Sequence, residues 1–259
     1  LICWGHGGVM GGGRGILTGC RYRVVSEHTR IGMTEITIAL FPDVGGSWFL
    51  NHMPGQVGRF LALTSSHINA ADALYCGLGT HFLANEQKAD VLAELTTQAW
   101  SGDADANHEL VCAVLADSAP GIEQPHAQIE PHIDTVNEWM AGDDLAAIHT
   151  RVMNWQGEDS WLVKARDGFA HGSPLAANWI FRQLNQTRAA SLEAVFESEL
   201  ILGCNIMRHP EFAEGVRALL VDKDRSPAWT YPDLASIPAD VVDSFFNAPA
   251  DMPALGLPE

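Results

Sequence analysis

Two carboxylates, Glu35 and Asp43, stand eight residues apart inside the segment Gly32-Met33-Thr34-Glu35-Ile36-Thr37-Ile38-Ala39-Leu40-Phe41-Pro42-Asp43-Val44-Gly45-Gly46. An acid flanked by Ile, Ala, Leu and Phe is expected to be partly stripped of water, which raises its pKa and suits it to general acid or base work near neutrality. A turn between the two would let both converge on one ligand. The same residues admit plainer roles, Glu35 as a cap or ion-pair partner and Asp43 as the cap of a helix starting near Gly45. Twenty residues before Glu35 lies Gly11-Gly12-Gly13-Arg14-Gly15, which allows either a close backbone approach to a ligand or tight packing. Residue type and spacing leave these alternatives open.

Several other chemistries lack their residues. No His-x-x-x-His or Cys-x-x-Cys pair occurs among the eleven histidines and five cysteines, so no metal site is expected. The glycine cluster fails both the dinucleotide pattern and the phosphate-loop pattern, and no G-x-S-x-G elbow supplies a serine nucleophile. Cys3, Cys20, Cys76, Cys112 and Cys204 are odd in number and widely spaced in apolar sequence. They read as reduced core thiols of a protein in a reducing, intracellular compartment.

The elements that must position these residues divide the chain by composition. Residues 1–84 are rich in Gly and β-branched residues and alternate short strands with short helices. Strands are expected at Leu1–Trp4 and Tyr22–Ser26, and helices at Gly13–Cys20 and after Asp43-Val44-Gly45-Gly46. Residues 85–259 read as mostly helical, broken at Pro120, Pro125, Pro131, Gly142 and Gly157. Leu192, Val195, Phe196 and Leu200 recur at helical spacing, as do Phe212, Val216, Leu219 and Leu220, and both stripes are expected to be core packing. The tail from Pro249 to Pro258 reads as a loose end. With no repeat or linker, the shift near residue 85 reads as a change of layer within one unit.

Composition bounds the partners. A net charge of -17 from 15 Lys plus Arg and 32 Asp plus Glu would repel a phosphate backbone, so nucleic acid is not an expected partner. Charges, Gly or Pro interrupt every apolar run before the ~20 residues of a membrane span, and a soluble globular protein is expected. Leu1-Ile2-Cys3-Trp4 is strand-like with no initiator Met, which suggests a chain that begins inside a fold.

Three strings together resemble a known family. Val9-Met10-Gly11-Gly12-Gly13-Arg14-Gly15, Met33-Thr34-Glu35 and Leu40-Phe41-Pro42-Asp43-Val44-Gly45-Gly46 look like the core signature of the 3-hydroxyisobutyryl-CoA hydrolases of the crotonase superfamily. Phe60–Thr64, Thr80-His81-Phe82 and Glu211–Asp224, with Pro227 and Trp229, extend the resemblance over nearly the whole chain. It implies an α/β crotonase fold, a β-β-α spiral whose last turns are residues 1–84, with the helical residues 85–259 packing over the site and supporting homo-oligomers, often trimers.

The resemblance further implies hydrolysis of a 3-hydroxyacyl-CoA thioester, most simply the 3-hydroxyisobutyryl-CoA of valine catabolism. Coenzyme A is then part of the substrate and no separate cofactor is needed. Glu35 and Asp43 become the working acids, and Gly12, beside Gly11, becomes an oxyanion and substrate-binding residue. Superfamily hydratases carry another glutamate at the position of Gly15 and commonly Gly at the position of Asp43, so both positions favour hydrolysis. Arg14, Arg217 and Lys223 are candidates either for the phosphates of coenzyme A or for plain surface cations.

One departure is large. The family's first oxyanion donor and part of its CoA surface belong to turns that would precede Leu1. A polypeptide limited to these residues is therefore expected to be inactive or poorly folded unless the N-terminal part associates with it. The alternatives to a hydrolase are an enoyl-CoA hydratase or isomerase, and a non-catalytic acyl-CoA-binding or assembly subunit. The bacterial cytoplasm is the expected location, or the mitochondrial matrix for a eukaryotic source.

Overall fold

The computed structural model of the protein describes residues 1–118 and 123–252. In chain order it has strands β1 (Ile2–Gly5) and β2 (Gly8–Val9), helix α1 (Gly12–Thr18), strands β3 (Tyr22–Val25) and β4 (Arg30–Gly32) and a 3-10 turn at Glu35–Ile38. Helices α2 (Gly46–Asn51) and α3 (Val57–Thr64), strand β5 (His67–Ile68), α4 (Ala70–Tyr75) and β6 (His81–Phe82) follow. The rest is helical: α5 (Lys88–Thr97), α6 (Ala104–Asp117), α7 (Ile133–Trp139), α8 (Leu145–Met153), α9 (Ser160–His171), α10 (Pro174–Gln186), α11 (Leu192–Met207), α12 (Pro210–Val216) and α13 (Ala239–Ser244). The expected strands and helices near the N-terminus thus form within two residues of their predicted bounds. The breakers Pro125, Gly142 and Gly157 fall between helices, and Pro131 falls in a 3-10 turn at Glu130–His132. Pro120 and the tail beyond residue 252 lie outside the described residues.

Two compact units interleave along the chain. The first takes Leu1–Val9, Ile16–Ile31 and Ile68–Pro131. Its centre is the parallel sheet β1-β3-β6, with Ile2 opposite Tyr22 and Val24 opposite His81. Val24 and Val25 on the central strand are fully buried, as the near-continuous apolar run of a strand covered on both faces requires. Helices α5 and α6 supply Val91, Leu95, Val111, Val114 and Leu115 to the same core. Tyr22 enters it with its hydroxyl bonded to His108 Nδ1 at 2.6 Å, so the ring is buried without stranding its polar end.

The second unit takes Met10–Gly15, Gly32–His67 and His132–Glu259. All eight residues of α3 are buried. Arg59 on that helix donates to the carbonyls of Met140 and Gly142, each at 2.7 Å, so a buried cation is held by backbone dipoles. The Ser173 N–H, at the start of α10, donates to the Ile36 carbonyl at 3.0 Å and ties α10 to the Glu35 turn.

Two expectations of core packing are corrected in this unit. On α11 the buried face is Val195, Glu199, Leu202 and Ile206, whereas Leu192, Phe196 and Leu200 are only partly covered. On α12 and the π-helical turn that continues it (Arg217–Val221), Glu211, Gly215 and Ala218 are buried, while Leu220 is 56% exposed. The small pair lets α12 lie close against the Glu35 turn, and the larger apolar residues are rotated away from it. Glu211 is buried because the Ser173 hydroxyl donates to its Oε1 at 2.8 Å and the Thr230 N–H to its Oε2 at 2.9 Å.

The cysteines are all free thiols, and burial pushes the Cys76 thiol up to about 12, which leaves it inert at neutral pH. Among the described residues no helix is long and apolar enough to cross a membrane.

Candidate active site

Glu35 opens the 3-10 turn Glu35–Ile38, which ends at Ala39 in a left-handed conformation (φ 51°) and sends the Leu40 N–H back to the Glu35 carbonyl at 2.9 Å. This short, tight element places the Glu35 side chain inward beside fully buried Ile36, and only 6% of the side chain stays exposed. Asp43 lies on the turn before α2, with its side chain 41% exposed.

The two acids meet at a third residue. Arg14 Nη2 stands 3.7 Å from Glu35 Oε1 and 3.8 Å from Asp43 Oδ1, and it donates to the Asp43 carbonyl at 2.8 Å. Arg14 is 1% exposed, which corrects both sequence readings of it, as a phosphate contact and as a surface cation. The guanidinium has room because Gly46 lacks a side chain: a Cβ there would sit 2.6 Å from Arg14 Nη1. Arg217 is committed elsewhere, to Glu214, Asp222 and Asp224 at 2.6–2.9 Å, and Lys223 stays exposed.

Burial pushes the Glu35 carboxyl above its ordinary range, and the nearby Asp43 charge adds to the rise; Arg14 and a backbone hydrogen bond pull it back only in part. Glu35 Oε2 has no hydrogen-bond partner among the described residues. The result is one carboxylate short of solvation, steered by one cation, beside a second and wetter carboxylate. Such a pair divides labour: the desolvated acid suits covalent or proton-transfer work, and the exposed one suits substrate recognition.

At the start of α1, the amides of Gly13 and Arg14 bond the carbonyls of Met10 and Gly11, and the Gly15 amide also bonds Gly11. The Gly12 amide faces no acceptor among the described residues, and a Cβ on Gly12 or Gly11 would meet nothing within 4 Å. Gly11 itself adopts φ 49°, the left-handed region in which glycine carries no Cβ penalty. The backbone at Gly12 is therefore open to approach by a ligand.

Gly15 is closed. A Cβ there would lie 2.4 Å from Val44 Cγ1 and 3.0 Å from Val44 Cβ, so Val44 fills the space a side chain would need. Gly15→Ala is expected to lose about 1–3 kcal/mol in urea unfolding through overpacking. Adding Val44→Gly should recover most of the loss, because it removes both the clash and the left-handed valine (φ 56°). A Gly15→Ala protein as stable as the parent would disprove this packing relation.

Asp43 does not cap α2. Gly45 is the N-cap residue, and the amides of Gly45 and Ser47 are taken by the Glu199 carboxylate at 2.8 and 3.1 Å. The sequence reading passed over Glu199, although its place in the series Val195, Glu199, Leu202, Ile206 marks it as an acid on an apolar face. Asp43 and Glu199 also border an apolar groove of about 740 Å³ between α11 and the Leu40–Val44 turn, walled by Leu40, Phe196, Leu200, Met207 and Phe212.

Known proteins match this chain along most of its length. A model of the family described as enoyl-CoA hydratase/isomerase matches residues 1–246. A mitochondrial 3-hydroxyisobutyryl-CoA hydrolase of Danio rerio is 34% identical over 247 residues, covering 94% of this chain and 63% of the relative. A probable 3-hydroxyisobutyryl-CoA hydrolase 2 of Arabidopsis thaliana is 30% identical over 254 residues, 95% of this chain and 65% of its own length. Among solved structures, a carnitinyl-CoA dehydratase from Mycobacterium thermoresistibile superposes with a TM-score of 0.80 at 28% identity, covering 94% of this chain and 66% of that one. An enoyl-CoA hydratase from Rhodobacter sphaeroides 2.4.1 gives 0.78 at 28% identity, with 93% and 66% covered. The chain spans just under two thirds of the length of these relatives. By the match over residues 1–246 and the shared fold, this chain belongs to the enoyl-CoA hydratase/isomerase family and has the crotonase fold.

Proposed function

We propose that the protein hydrolyses 3-hydroxyacyl-CoA thioesters, with 3-hydroxyisobutyryl-CoA as the simplest candidate. The observation that carries this reading is the plug at Gly15. Water addition across a double bond uses a second acid at that position, and Val44 occupies the space in which its side chain would have to start. What remains at the Arg14 guanidinium is the buried acid Glu35 with Asp43 beside it, a set suited to acyl transfer. The names of the hydrolase relatives agree with this, whereas the names of the two solved structures favour a hydratase or dehydratase.

In this mechanism Glu35 attacks the thioester carbonyl, forming an acyl anhydride as the C–S bond breaks and the CoA thiolate leaves. Water then opens the anhydride, which restores the Glu35 carboxylate and releases the 3-hydroxy acid. The Gly12 N–H, with Gly11 giving the turn its shape, donates to the carbonyl oxygen as it gains charge. Asp43 accepts a hydrogen bond from the substrate's 3-hydroxyl group. Coenzyme A enters as part of the substrate, and no further cofactor takes part. Solvent oxygen-18 found in Glu35 after a single turnover supports an anhydride opened by water at its Glu35 carbonyl, while label confined to the released acid would remove that route.

The test of the reaction class is free-thiol release from 3-hydroxyisobutyryl-CoA set against hydration of crotonyl-CoA by the native protein that carries this chain. Hydration outpacing thiol release would sink the hydrolase reading. Asp43→Asn is expected to reduce the preference for the 3-hydroxylated substrate over its deoxy analogue by about 10- to 100-fold, the worth of one hydrogen bond to a charged acceptor. An unchanged ratio of kcat/KM values would remove Asp43 from substrate recognition. We further propose that the protein acts as a homo-oligomer or in association with an N-terminal part of the fold, in the bacterial cytoplasm or in the mitochondrial matrix if the source is eukaryotic.

A further inference from the structure

Glu199 is an acid on the buried face of α11, 6% exposed, with Val195, Leu202 and Ile206 as its neighbours on that face. A carboxylate in such a place must be compensated or it costs several kcal/mol. Its compensation comes from the turn beside Asp43: Oε2 accepts from the Gly45 N–H at 2.8 Å and Oε1 from the Ser47 N–H at 3.1 Å, and the Ser47 side chain bonds the same carboxylate. These amides belong to the first turn of α2, where no side chain from the adjoining sequence caps them. The cap is supplied instead from 154 residues away.

What the cap holds is a strained turn that carries Asp43. Val44 and Gly45 adopt φ 56° and 72° in succession, and a β-branched residue in the left-handed region persists only where its surroundings over-determine it. The turn is pinned at both ends. Its entry is the Asp43 carbonyl, which accepts from Arg14 Nη2 at 2.8 Å and from the Gly46 N–H at 2.9 Å. Its exit is the pair of amides on Glu199. Without the exit clamp, Val44 is free to relax to an ordinary φ, and that rotation swings the residue before it.

We propose that Glu199 is a positioning residue: by holding the Gly45 and Ser47 amides it keeps the Val44–Gly45 turn in its left-handed form and so fixes the Asp43 carboxylate where it reads the substrate's 3-hydroxyl group. The proposal rests on the recognition role given to Asp43 above. It makes Glu199 a determinant of specificity that touches no substrate atom.

The test compares Glu199→Gln and Glu199→Ala with the parent in the native protein. Gln keeps the volume and one acceptor but turns an NH₂ towards the second amide, so it loosens the clamp without opening a cavity; it carries the test if the alanine variant does not fold. Hydroxylated and deoxy acyl-CoA substrates are assayed side by side, and amide hydrogen exchange is followed at Gly45 and Ser47. For Glu199→Gln, the kcat/KM ratio between the two substrates should fall about tenfold, mainly through KM for the hydroxylated one. Exchange at both amides should accelerate at least about tenfold, and the double variant with Asp43→Asn should discriminate no worse than Asp43→Asn alone. An unchanged ratio, a parallel loss for both substrates, or an additive double variant would overturn the proposal. If Asp43→Asn by itself leaves the ratio intact, the role of Asp43 fails and takes this proposal with it; if Asp43→Asn abolishes the preference while Glu199→Gln spares it, the positioning role alone fails.

Discussion

Glu35→Gln is expected to abolish turnover, lowering kcat by on the order of 10⁴-fold or more, while leaving CoA binding within about twofold of the parent. Gln matches Glu in shape and can occupy the same turn, but it neither attacks a carbonyl nor accepts a proton. A variant with near-normal thiol release would end the assignment of Glu35. The parent should also show an acid limb in kcat/KM. Glu35 must be ionised to act, and burial has raised its pKa above the ordinary 4.5, so activity rises with pH only through that raised value.

Stability runs the opposite way. Between 4.5 and the raised value the folded chain binds a proton that the unfolded chain has released. The Glu35 contribution to stability is therefore fully present below about 4.5 and is lost as pH rises through the folded value. Glu35→Gln should remove this component of the pH dependence, and equilibrium unfolding at a series of pH values measures it. On the role proposed for Glu35, a buried acid held in its less comfortable charged form is a trade of stability for reactivity.

Arg14→Met carries the second largest effect. The guanidinium contacts both Glu35 and Asp43, and it pulls the Glu35 carboxyl down against the rise caused by burial. Removing it should move the acid limb of activity to higher pH and reduce kcat/KM at neutral pH by roughly 100-fold, since preorganised charge at a reacting group is worth ~3 kcal/mol. Breaking a buried pair by deleting one partner costs about 3–5 kcal/mol. Here the loss depends on pH, because Glu35 can escape it by taking up a proton. The parent and variant should lie close together in urea unfolding near pH 4.5 and diverge towards pH 8. A loss of equal size at both pH values would show that Arg14 acts through packing and not through charge. Arg14→Lys is not a rescue: a compact ammonium cannot donate to the Asp43 carbonyl and approach both carboxylates with one planar group.

Local rules reached the parts of this molecule that depend on near neighbours. The strand at Ile2–Gly5, the strand at Tyr22–Val25 and the helices around them follow from β-branched runs, glycine turns and short periodic stretches. Glu35 and Asp43 stood out as acids in apolar sequence, and Gly12 and Gly15 gained meaning through resemblance to a family. The two helical stripes of the second half were readable as helices but not in their orientation. On α12 the buried side is Glu211, Gly215 and Ala218, because the close approach of the Glu35 turn selects small residues and not the greasiest ones.

The amino-acid sequence by itself thus determined which acids this protein has, the order of its elements, and that position 15 is a glycine, whose bearing on water addition came only through resemblance to a family. Only the tertiary structure decided how those acids behave. Arg14 lies 21 and 29 residues from Glu35 and Asp43, and Glu199 lies 154 residues from the amide it caps, so neither interaction leaves a mark on local periodicity. Burial, the desolvation of Glu35 and the plugging of Gly15 by Val44 are properties of space filled from distant parts of the chain. The physical reason is that a carboxylate's pKa and reach are set by whatever occupies the few ångströms around it, and in this fold those neighbours arrive from α1 and α11.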